Sequence, residues 1–82
     1  MSALVYILIV VKYGTKKDVS QKLIRFKEIE NVHELYGEYD IIVKVRAATM
    51  EKLEDFIQNN IRKISEIEGT QTLVVSDIPK EG

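Results

Sequence analysis

Apolar positions along this chain follow two periods. Residues 4–11, LVYILIVV, are short, β-branched and almost continuously apolar, which predicts a central strand buried on both faces, or on one face and in an interface. Tyr13-Gly14 ends that run. Thr15 then opens a helix, with Thr15-x-x-Asp18 as a weak capping box. Val19, Leu23, Ile24, Phe26 and Ile29 follow at helical spacing and predict a helix over 16–27. Residues 32–36 alternate and read as a second strand. The turn 37–40 leads into a third, IIVKV, over 41–45. The spacing of these two runs, with one Gly between them, fits a hairpin. Thr49 is the next N-cap candidate. Met50, Leu53, Phe56, Ile57, Asn60, Ile61 and Ile64 repeat at helical spacing over 50–64, and Asn60 is the one polar member. Residues 70–75, TQTLVV, form the last strand. Pro79 stands as a stop in the tail 76–82.

The predicted order is β-α-β-β-α-β. Two βαβ halves joined by a hairpin give an α+β, ferredoxin-like fold: a four-stranded antiparallel sheet with both helices on one face. The first strand then poses a problem. Leu4, Tyr6, Leu8 and Val10 share one face, while Val5, Ile7, Ile9 and Val11 share the other. The helices cover one set, and the other needs a cover of its own. The simplest cover is a second copy, sheet on sheet with two-fold symmetry, giving an α/β sandwich or barrel.

Length and composition agree with a single domain over 1–82. A domain this small buries a modest core and often gains stability by assembling. The chain has no Cys, which excludes a disulfide, a thiolate metal site and a nucleophilic thiol. The apolar run at 4–11 is too short to span a bilayer and lacks the flanks of a signal peptide, so a cytoplasmic protein without membrane contact is expected. Charge is balanced, with 12 Lys and Arg against 13 Asp and Glu. The cluster Lys12, Lys16, Lys17, Lys22, Arg25 and Lys27 therefore reads as the solvated face of a helix rather than a nucleic-acid field. Base stacking on the sheet is not expected either, because IIVKV has no aromatic residue and Tyr6 is alone on the first strand.

No catalytic set is visible, and none of the residues calls for a cofactor. His33 is the single His, and a metal site needs three or four convergent ligands. Glu34, Glu38 and Asp40 cluster near the hairpin without a positioned partner. Two segments remain as candidates for a small polar site. Gly37 in Tyr36-Gly37-Glu38-Tyr39-Asp40 would let the backbone approach a ligand or take a positive φ, though Gly and Asp also suit an ordinary turn. In Thr70-x-Thr72 both hydroxyls share one sheet face, though Thr is also a good strand former. Together they would suit an amino-acid head group, with Asp40 for the ammonium and the Thr hydroxyls for the carboxylate.

These segments resemble the ligand-binding (RAM) domain of Lrp/AsnC transcription regulators. The likeness rests on YILIVV, on Val32…Tyr36-Gly37-x-Tyr39-Asp40 with its following apolar strand, on the second amphipathic helix, and on Ile67-x-x-Thr70-x-Thr72. It spans nearly the whole chain. One departure is Glu66, where the family often has Gly. The resemblance implies dimers that assemble into higher-order rings, with a small amino acid held at the dimer–dimer interface. It marks Gly37, Tyr39, Asp40, Thr70 and Thr72 as ligand-binding residues. It also implies a regulatory module without its own DNA-binding half, able to assemble with full-length relatives. Three competing readings stay open: a purely structural assembly module, an ACT-like regulatory subunit of an enzyme, and a dimeric-barrel enzyme built on His33 or Asp40.

Overall fold

A computed structural model of the protein describes residues 2–76. Strand β1 (Ala3–Val11) leads to helix α1 (Lys16–Leu23), strands β2 (Ile29–Glu34) and β3 (Ile41–Ala47), helix α2 (Met50–Asn59), a 3-10 turn (Ile61–Lys63) and strand β4 (Ile67–Val74). The sheet order is β2-β3-β1-β4, antiparallel throughout, as the βαββαβ pattern requires. The most apolar strand is thus central. Ile7 lies between Val43 and Thr72, and Ile9 between Ile41 and Thr70.

The odd-numbered face of β1 carries the core. Val5, Ile7 and Ile9 are fully buried, packed with Val43 and Val45 of β3, Val19 and Leu23 of α1, and Leu53 and Ile61 from the α2 segment. Phe26 meets Phe56 edge-on, with ring centroids 5.3 Å apart, and ties the end of α1 to α2. The even-numbered face has no helix over it. Leu4, Tyr6, Leu8 and Val10 stand there half-buried, beside Ile42 of β3 and Leu73 of β4.

Several boundaries differ from the sequence expectations. Helix α1 stops at Leu23 instead of 27. Its bonding tightens there: Arg25 N–H donates to Lys22 O and Phe26 N–H to Leu23 O, which turns Phe26 inward. A two-turn helix buries only Val19 and Leu23, so Ile24, expected on the apolar stripe, is left 54% exposed. Strand β2 begins at Ile29, because that side chain enters the core opposite Val45, and Leu35 and Tyr36 fall into the connection. Strand β4 likewise begins at Ile67. Helix α2 stops at Asn59. The polar residue of its stripe explains this: both the backbone N–H and the side-chain amide of Asn60 donate to Phe56 O, each at 3.0 Å. Thr49 caps α2 by accepting Lys52 N–H at 3.1 Å. Thr15 makes no such bond. Its hydroxyl turns back to Lys12 O at 2.7 Å, so the expected capping box with Asp18 is absent. The tail beyond residue 76, with Pro79, lies outside the described residues.

Candidate ligand site at the hairpin and the last strand

Residues 35–40 connect β2 to β3, and Leu35 N–H donates to Asp40 O at 2.7 Å to close the turn. Gly37 is exposed at the tip. The positive φ contemplated for it is not used; among the described residues only Gly14, at +81°, has one. Asp40 is tied to β1 twice. Its N–H donates to Ile9 O, and its Oδ2 accepts Val11 N–H, both at 2.9 Å. Its other carboxylate oxygen lies 3.8 Å from Lys16 Nζ. That same ammonium donates to Leu35 O at 2.7 Å and sits 4.4 Å above the Tyr36 ring centroid. Lys16, in the first turn of α1, therefore clamps the hairpin through a carbonyl, a carboxylate and a ring. Asp40 has one oxygen hydrogen-bonded within the chain and the other in a longer ion pair.

Tyr39 crosses the uncovered face of the sheet, and its hydroxyl donates to Gln71 Oε1 at 2.6 Å. Thr70 and Thr72 point the other way. They pair with Ile9 and Ile7, whose side chains enter the core, so both hydroxyls project on the helix side. Strand β4 is an edge strand, and its helix side is only partly covered. Thr72 lines a groove of about 460 Å³ with Leu53, Ile57 and Arg62, and Thr70 lines a neighbouring one of about 340 Å³ with Arg62 and Gly69. Within one chain Tyr39 and the two threonines thus stand on opposite faces of the sheet, while Asp40 sits at the end of β1 between Val11 and Lys16.

Glu66, the departure before the last strand, has its own task. Its carbonyl accepts Lys12 N–H at 2.8 Å, and its carboxylate binds Lys22 at 2.9 Å. The Lys22 hydrogen bond, the largest influence, holds Glu66 below the usual glutamate range. Glu30 is held low in the same direction, first by its hydrogen bond from Arg46 on β3. His33 is exposed on the uncovered face beside Tyr6 and Ile42, and no cluster of metal-binding side chains occurs among the described residues. The sequence reading did not single out Arg62, and it treated Lys16 only as part of a solvated helix face. Neither has a local signature, because their neighbours lie far along the chain.

A ferredoxin-like sheet with helices on one side, an uncovered apolar face on the other and grooves along an edge strand defines a small α+β domain. Its sequence carries a family assignment. The family model of the Lrp/AsnC ligand binding domain matches residues 4–82, and the chain belongs to that family. The HTH-type transcriptional regulator FL11 of Pyrococcus furiosus is 40% identical over 78 residues, covering 95% of this chain and 51% of FL11. The chain therefore spans about half the length of the curated relatives it matches. Among solved structures, FFRP-DM1 superposes with a TM-score of 0.88 at 38% identity, covering 90% of this chain and 99% of that one. The hypothetical protein PHS023 from Pyrococcus horikoshii gives 0.87 at 37% identity, covering 95% and 93%. No described helix is long and apolar enough to cross a membrane.

Proposed function

We propose that this chain is an effector-binding, oligomer-forming regulatory module whose ligand is a free amino acid. One observation carries the reading. Tyr39 of the hairpin reaches across the uncovered face, Thr70 and Thr72 project on the helix side, and a site that joins Tyr39 to both threonines needs a second protomer. The uncovered face supplies the means of bringing one in. Leu4, Tyr6, Leu8, Val10, Ile42 and Leu73 lie on it together, an apolar area that a second copy would bury. Dimers formed there present their hairpins and edge strands outward, where further dimers close the ligand site. One structural neighbour, a transcriptional regulator from Neisseria meningitidis in complex with L-Met, has this fold at 15% identity. E. coli AsnC shares this fold over about half its length, so mixed assembly with full-length regulators of the family belongs to the same proposal.

The test is a screen of unfolding midpoints with each of the twenty amino acids at millimolar concentration. A ligand at about 100 times its Kd stabilises by roughly 2.7 kcal/mol, which raises the midpoint of a domain this size by about ten degrees or more. A selective rise with one or a few amino acids is the expected result. Sedimentation should show a dimer or larger species, and Leu8→Glu on the uncovered face should reduce it to monomer. A second reading, a structural assembly module without ligand, is favoured by the hydrogen bond that Asp40 makes to Val11 N–H within the chain. No midpoint change with any amino acid, together with an intact oligomer, would select it.

A further inference from the structure

The single His of the chain stands on the uncovered face of the sheet. His33 pairs with Ile42 of β3, and Ile42 pairs onward with Leu8 of β1, so the imidazole ends an apolar row that a second copy would cover. It borders a depression of about 130 Å³ together with Tyr6, Asn31, Ile42 and Lys44. The charged groups of this corner are Lys44 and Arg46 from β3 and Glu30 from β2 itself. Glu30 is committed to the other two: it accepts Arg46 Nε–H at 2.7 Å and lies 3.6 Å from Lys44 Nζ. Glu34, the next residue along β2, projects on the helix side, where it lines a groove with Ile24 and Val32. The corner therefore sets one carboxylate against two cations, and protonation of His33 adds a third.

The charge on that imidazole bears on assembly. A second copy laid on the face takes water from around His33 and, by symmetry, brings a second set of the same cations into the interface. Burial disfavours an ionised side chain, and nearby like charges disfavour it further. Imidazole is the side chain that ordinarily changes charge between about pH 5 and 8. We infer that His33 makes sheet-on-sheet assembly sensitive to acid: the neutral side chain is accepted between the copies, and the protonated one drives them apart. The inference rests on the assembly reading above and adds to it a regulatory input that acts through a residue outside the ligand-site candidates. The separated chains bind more protons than the assembled ones. Assembly is therefore strongest above the ordinary imidazole range and is lost as pH falls through it.

The experiment is sedimentation equilibrium of the full chain at about pH 8 and about pH 5.5, at fixed ionic strength and several concentrations. Two imidazoles enter each dimer, so the penalty acts twice. For an ordinary imidazole titrating near about 6.5, complete exclusion of the charged form weakens the dimer about a hundredfold at about pH 5.5, and partial exposure leaves an expected loss of about tenfold or more. In His33→Gln, which does not titrate, the dissociation constant should vary less than about threefold over the same range; this also separates His33 from the α-amino group, which titrates in the same window. His33→Lys carries the charge at both pH values and should weaken the dimer at about pH 8 as acid weakens the parent. His33 is exposed on an edge strand, so both variants should fold. Diluting the parent dimer near about pH 6.5 in buffers of different ionisation heat should register proton uptake on dissociation, a readout that needs no variant. A dimer equally strong at both pH values, one tighter in acid, or a pH dependence kept in His33→Gln overturns the His33 assignment and leaves the assembly reading standing. A parent that is monomeric at about pH 8 overturns the assembly reading and the assignment with it.

Discussion

Removing the Asp40 carboxylate should destabilise the fold even without any ligand. Its Oδ2 accepts Val11 N–H at 2.9 Å, and Val11 is 7% exposed, so water replaces that bond poorly in Asp40→Ala. A hydrogen bond to a charged group contributes about 1.5–3 kcal/mol. The ion pair with Lys16 is longer, 3.8 Å, with the two side chains 26% and 29% exposed, and after screening it adds about 0.2–1 kcal/mol. Together these predict a loss of about 1.7–4 kcal/mol, or roughly 7–32 °C in midpoint for a domain of this size. Asp40→Asn keeps an acceptor for Val11 and should recover more than half of that loss. The assay is urea and thermal unfolding of parent, Asn and Ala variants at one protein concentration, since oligomers melt in a concentration-dependent way. Hydrogen exchange adds a local readout, because the amide protons of Val11, Leu35 and Asp40 should lose protection together. A stability of Asp40→Ala within about 0.5 kcal/mol of the parent would refute the reasoning and return the carboxylate to a purely ligand-facing role.

Two further outcomes follow from local geometry. Thr49→Ala should cost about 1 kcal/mol in chemical denaturation, since its hydroxyl caps α2. Thr15→Ala should cost less, because its hydroxyl serves only an exposed turn carbonyl, and equal losses would contradict this. Glu30 and Glu66 have folded pKa values below the ordinary glutamate range, through Arg46 and Lys22 respectively. Their pairing therefore favours the folded state at neutral pH and is lost as pH falls through the ordinary value toward the lower folded one. Glu66→Gln should flatten the acid limb of midpoint against pH over that window, and an unchanged slope would disprove the contribution.

Much of the architecture was legible in the chain because burial writes itself into period. The short, continuously apolar run 4–11 identified the central strand, and the spacing Leu53, Phe56, Ile57, Ile61 identified the inner stripe of α2. The boundaries were less legible where tertiary contacts override local pattern. Leu35 and Tyr36 continue the β2 alternation, yet the closure Leu35 N–H to Asp40 O takes them into the turn. Ile24 fits a helical stripe, yet the chain bends inward at Phe26 to reach Phe56. Asn60 was visible as an anomaly in an apolar stripe, but only its two bonds to Phe56 O gave the reason.

The candidate site divides along the same line. Sequence by itself determined the residue types, the hairpin, the shared face of Thr70 and Thr72, and the family, since these depend on neighbours in the chain and on a strand's two-residue period. Tertiary structure alone decided that Tyr39 and the threonines stand on opposite faces of the sheet, that Asp40 is bound to Val11 and Lys16, and that Arg62 comes to lie beside β4. Those relations join residues far apart in sequence. They are set by strand order and by how the helices return to the sheet, and no local periodicity records them.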